Sequence, residues 1–263
     1  MKINRLKEQE INDIIEKESV DLSSFKTKDT LNPKIFDEES HMYSEVRKRL
    51  LMISDDFFET LDIAWVDIDD IILTGSLANY NWSKFSDVDI HILVDYEAVD
   101  DNVELVREYF MSKKNLWNEK HDIAIKGYDV ELYVQDTEEP HVSSGVYSIL
   151  YDGWVVQPEK GEKTIDAQKV SQKVNSIVDS IKYIYGMYKE EDYDKAIRSI
   201  KTLKEKIKKM RQSGLDREGE YSFENIAFKV LRRTEMLDKL SEIETKSYDQ
   251  SLTLVESIKY LKN

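Results

Sequence analysis

The apolar residues of this chain keep two different rhythms, and the change falls near Pro158. Before it come short strand-length runs: 70–73 reads as a short buried strand, and 88–94 and 129–135 alternate apolar and polar residues. After it, from about Asp166, apolar residues recur only every three or four positions. A period of two buries one face of a strand and a period of 3.6 buries one stripe of a helix, so one pattern does not fold as the other. The expected architecture is therefore α+β: a short mixed sheet with flanking helices, followed by a helical bundle. The boundaries fall as an N-terminal helical and extended extension over residues 1–35, a mixed domain over 36–160 and a helical domain over 161–263.

Within the first part, Ile3, Leu6, Ile11, Ile14 and Ile15 mark a short helix, and Asp21 to Pro33 reads as an extended connection. Val46, Leu50, Ile53, Phe57 and Leu61 then share one face of a helix that leads into the strand at Asp70–Leu73. Asn102 to Lys113 reads as a helix, and Asp152-Gly153 between apolar runs reads as a hairpin turn. The bundle carries four stripes. The first contains Val170, Val174, Ile177, Ile181 and Ile184; the second contains Ile197, Ile200, Leu203, Ile207 and Met210 and is expected to stop near Gly214. The third contains Ile226, Val230, Leu231 and Leu237, and the last Leu252, Val255, Ile258 and Leu261.

The absence of Cys excludes disulfides and Cys-ligated zinc or iron–sulfur sites. No apolar run approaches the ~20 residues that span a bilayer, and Met1 to Glu10 is too charged for a secretory signal, so no membrane role and a cytoplasmic location are expected. The net charge of −15 argues against a long DNA partner unless basic residues cluster.

One stretch carries chemistry: Ile71-Ile72-Leu73-Thr74-Gly75-Ser76 ends a strand, and Ser86-Asp87-Val88-Asp89-Ile90 opens another. Gly75 has no Cβ to obstruct backbone N–H groups approaching a phosphate. A helical turn is expected after it, and Ser76 would then add a hydroxyl at a helix N-terminus, where anions are favoured. Asp87 and Asp89, two apart on a strand, point to one side, and paired carboxylates are hard ligands of the kind Mg²⁺ prefers. Lys84, in the loop before the acids, is a candidate phosphate contact, against the plainer reading of a solvated lysine.

This Gly-Ser…Asp-x-Asp stretch resembles the motif of the polymerase β-like nucleotidyltransferases. The resemblance covers about residues 40–158 and extends to predicted phage-type nucleotidyltransferases of unknown acceptor. Tyr80 stands where many members have a second Gly. The resemblance implies transfer of an NMP from an NTP to an acceptor hydroxyl, with release of pyrophosphate. Mg²⁺, or Mn²⁺ in its place, would be the metal, and the acceptor would be a small molecule, a protein or an RNA end. It also implies a third carboxylate on a neighbouring strand. In Tyr128-Asp129-Val130-Glu131-Leu132-Tyr133-Val134, Asp129 and Glu131 share a face; Glu131 lies inside the alternation and is preferred, with Asp129 as substitute. The implied set is Asp87, Asp89 and Glu131 as catalytic and metal-binding residues, with Gly75, Ser76 and Lys84 toward the nucleotide.

His91 follows the two acids on their face, and Tyr80 and Trp82 are candidates to stack on a base or simply to pack. In the second bundle stripe, Arg198, Lys201, Lys204, Lys208 and Arg211 each follow an apolar residue by one position, and read as a row along one border of the seam. Such a row either is solvated or meets a triphosphate or anionic acceptor across a cleft between the two domains. The alternatives to an enzyme are a catalytically inactive scaffold of the same fold and an RNA-binding module that uses the basic helix 195–211.

Overall fold

The structure, a computed structural model, describes residues 22–140, 143–161 and 165–253. The N-terminal stripe of Ile3 to Ile15, the stripe beyond Thr253 and His141 lie outside the described residues. Among these, the chain is α+β, with seven α-helices and a mixed six-stranded sheet. It forms two compact units, Ser23–Glu162 and Lys163–Asn263 with Met1–Leu22. No helix among the described residues is long and apolar enough to cross a membrane.

The first unit is built on β1 (Asp70–Thr74), β2 (Val88–Val94), β3 (Ala124–Ile125), β4 (Tyr128–Asp136), β5 (Val146–Ser148) and β6 (Gly153–Val156), ordered β3-β4-β2-β1-β5-β6. Only β2 and β4 pair in parallel. Helices α1 (Ser44–Glu59), α2 (Tyr96–Val99) and α3 (Val103–Lys120) complete it. The stripe Val46, Leu50, Ile53 and Phe57 of α1 is buried with Val106 and Phe110 of α3 against Ile71, Leu73, Val88, Ile90, Ile92 and Leu132 of the sheet. Each fully buried side chain of this size contributes roughly 1.5–3 kcal/mol over exposure. Asn102 caps α3 by accepting from the Leu105 N–H. Leu31, Ile35 and Phe36 enter the same core, so the aperiodic stretch before α1 is packed rather than a bare connection. Nothing in its spacing announces this, because residues in turns follow no period. The hairpin β5–β6 forms with Asp152 at φ 58°, across a longer turn than two residues.

The second unit contains α4 (Ala167–Lys189), α5 (Tyr193–Glu218), α6 (Phe223–Arg233) and α7 (Met236–Leu252). All five residues of the first stripe are buried in α4. Two expectations fail here. Helix α5 does not stop at Gly214 but runs on to Glu218. Gly214 is buried mid-helix because a Cβ there would lie 2.7 Å from Ser222 Oγ and 2.9 Å from Glu224 Cβ, so the glycine marks a close crossing and not an end. The third stripe is also divided: the chain leaves α6 at Thr234, Glu235 takes φ 58°, and Leu237 belongs to α7. No Gly or Pro marks that break, and a left-handed Glu is invisible to a glycine-based reading.

Candidate active site

The alternation in β2 is strict where it matters. Val88, Ile90 and Ile92 are buried in the core, while Asp89 and His91, with Asp87 just before the strand, are half-buried on the opposite face. The parallel register sets Asp89 beside Glu131 and His91 beside Tyr133; the antiparallel register sets Thr74 on the other side of Asp89. Thr74, Asp89 and Glu131 thus form one row across three strands. Asp129 is exposed at the start of β4, where β3 pairs with it. The same face also holds a small buried apolar cluster of Ile72, Leu93 and Val146.

Neighbouring strands stand about 5 Å apart, so acids registered on one face can share a cation when their side chains converge. As they stand, no three acid or imidazole side chains among the described residues converge as a metal cage. One reason is visible: Tyr133 OH donates to Glu131 Oε2 and draws that carboxylate along its own strand. Tyr133 is in turn stacked on His91 at 4.9 Å, and His91 Nδ1 lies 2.7 Å from Gln135 Oε1, an acceptor that places the ring proton on Nδ1. Lys114 of α3 stands over the Tyr133 ring at 4.1 Å. It reaches this face because Asn118, one turn on, lies at the open edge of β4, with its side-chain amide facing the Leu132 N–H and carbonyl.

The loop between β1 and β2 fixes the acids from the other side. Gly75 has φ 73°, and a Cβ on it would lie 2.1 Å from Asp89 Oδ2, so the loop backbone rests directly on that carboxylate. No helix follows Gly75: residues 75–78 and 80 are turns and 79 is a bend, with the Asn79 N–H donating to the Ser76 carbonyl at 3.2 Å. Ser76 is therefore not at a helix N-terminus, and its hydroxyl donates to Ser86 Oγ at 2.7 Å. Ser86 Oγ also accepts from the Ser83 N–H at 2.9 Å, which closes the loop just before Asp87. The middle of the loop is clasped by Ser144 against Asn79, and by Gly145, whose missing Cβ makes room for the Ala78 carbonyl. Tyr80 and Trp82 pack against the core, and the Trp82 indole N–H donates to the Thr30 carbonyl. Lys84 is exposed, with its ammonium over the Phe85 ring at 4.8 Å.

The structure thus brings Asp87, Asp89, Glu131 and Gly75 together on one sheet face, and leaves Lys84 in solvent and Ser76 hydrogen-bonded within its loop. Tyr133, Gln135 and Lys114 are the members of these surroundings that the motif does not contain; Tyr133 and Gln135, two and four residues from Glu131 on the same strand, lie within reach of a same-face argument. No family model, curated protein or solved structure matches the chain.

Proposed function

We propose that the unit Ser23–Glu162 is a polymerase β-like nucleotidyltransferase. It moves an NMP from an NTP to an acceptor hydroxyl: the hydroxyl oxygen bonds to the α-phosphorus, the bond to the β-phosphate breaks, and pyrophosphate leaves. The observation that carries this reading is the register of β2 and β4, which sets Glu131 beside Asp89 on the face that also bears Asp87. Asp87, Asp89 and Glu131 are an all-oxygen donor set that fits Mg²⁺ or Mn²⁺. The bound ions would supply charge neutralisation for the triphosphate and acidify the attacking hydroxyl. Asp87 and Asp89 would hold them, Glu131 would complete the set once released from Tyr133, and Gly75 would let the backbone approach phosphate beside Asp89. Catalysis of this kind is positioning and electrostatics more than covalent chemistry.

The test is incubation with each α-labelled NTP and Mg²⁺, scoring labelled product and pyrophosphate. Loss of metal-holding acids should cost about 4 kcal/mol, roughly a thousandfold in rate. Asp87→Ala combined with Asp89→Ala should therefore abolish transfer while the melting curve keeps its cooperativity. Wild-type turnover by the double variant moves the chemistry elsewhere. No product from any NTP, together with no stabilisation by NTP and Mg²⁺, leaves the fold as a scaffold.

A further inference from the structure

The basic helix α5 does not present its cations as a single row. Its stripe advances by steps of three, three, four and three residues, which at 100° per residue carries the following positions about 140° round the helix. Arg198 therefore stands on the flank toward α4, with Lys195 and Lys206, and Lys204, Lys208 and Arg211 stand on the flank toward α7. The α7 flank is used by the fold: Lys204 pairs with Glu244 at 2.5 Å, and the Arg211 guanidinium lies over Phe228 at 4.3 Å. The α4 flank is not. Among the described residues, none of Lys195, Arg198 and Lys206 makes an ion pair. They line an open groove of about 610 Å³ between α4 and α5, with Asp179 as its one carboxylate. Tyr183 of α4 lines the same groove and is 67% exposed.

We propose that this groove binds single-stranded nucleic acid. Helix α5 carries nine Lys and Arg against four Asp and Glu, inside a chain of net charge −15. Lys195, Arg198 and Lys206 lie within about 80° of one another and span roughly 16 Å of helix, enough for several consecutive phosphates. The exposed phenol beside them offers a face on which an unstacked base can lie, worth ~1–3 kcal/mol per base, and a duplex has no such base to give. A polyanion without bases would use the cations and leave the ring idle. The inference does not rest on nucleotidyl transfer, since every residue in it belongs to the second unit.

The experiment uses the full chain in EDTA, so that the sheet acids take no part through a metal. Anisotropy of labelled oligouridylate and oligothymidylate of about twelve nucleotides is followed as salt rises. Binding should fall with a log–log slope of about −2 for three phosphate contacts. Lys195→Glu with Arg198→Glu should weaken it more than tenfold. Tyr183→Ala should weaken it about fivefold or more, and Tyr183→Phe should restore it. Asp87→Ala should leave it unchanged. Tighter binding of one oligomer names the occupant as RNA or DNA. Absence of binding at low salt, variants that bind like wild type, or polyglutamate competing as well as the oligomer at equal charge overturns the proposal.

Discussion

Asp129 and Glu131 are chemically almost alike and share a face, yet the fold treats them differently. Glu131 is half-buried, registered on Asp89 and hydrogen-bonded by Tyr133; Asp129 is exposed where β3 begins to pair with β4. Removing the charge of the registered acid should therefore cost more. We expect Glu131→Gln to lower kcat of nucleotidyl transfer at least tenfold more than Asp129→Asn, with similar melting temperatures. The reverse order, measured in the same labelled-NTP assay, would make Asp129 the third acid. The face that bears these acids was legible from period alone, since Val88, Ile90 and Ile92 could only be buried together. Their adjacency was not: register is set by pairing across the 41 residues that separate Asp89 from Glu131, and a one-residue slip would have turned Glu131 into the core. Of the partners that hold the site, Gln135 follows the period of Glu131, whereas Lys114 is silent in sequence because its contact with Tyr133 depends on how a helix packs on the sheet.

At the scale of elements, two helical glycines make a controlled contrast. Gly186 sits in α4 with nothing within 4 Å of where a Cβ would be. Gly214 sits in α5, where a Cβ would meet Ser222 Oγ and Glu224 Cβ inside 3.0 Å. Alanine gains about 1 kcal/mol over glycine in a helix. At position 186 that gain is unopposed, and Gly186→Ala should raise stability by roughly 0.5–1 kcal/mol in denaturant titration. At position 214 it is opposed by an overpacking cost of about 1–3 kcal/mol, because Ser222 is buried while capping α6 and cannot easily move. Gly214→Ala should therefore lower stability by about 1 kcal/mol. Equal effects of the two substitutions would mean that the crossing at Gly214 is looser than its geometry indicates. The same contrast explains why helix ends were the least legible feature. A glycine in a helical pattern reads as a stop, but here one is an indifferent site, the other a contact, and the true break after Arg233 passes through a left-handed Glu235.

The whole molecule separates two chemistries that a single charge count conflates. A net charge of −15 argues against nucleic acid, yet the acids of the sheet face and the cations of α5 lie in different compact units. The core of Ser23–Glu162 is drawn from its own elements, from Leu31 to Ile149, and at about 140 residues it is large enough to bury well over half of its surface. Residues 23–162 expressed alone should accordingly unfold in one cooperative transition. They should also still bind Mn²⁺, seen as loss of the free-ion EPR signal, because all three carboxylates are within them; Asp87→Ala with Asp89→Ala should abolish that binding. The same fragment should show no affinity for the oligonucleotides, since Tyr183, Lys195 and Arg198 are absent from it. Each failure points to a different error. A fragment that does not fold means that the first unit depends on the rest of the chain. A folded fragment that ignores Mn²⁺ means that Asp87, Asp89 and Glu131 do not suffice as a metal site. A fragment that binds the oligomers places their site on the sheet unit, and the groove between α4 and α5 loses its occupant.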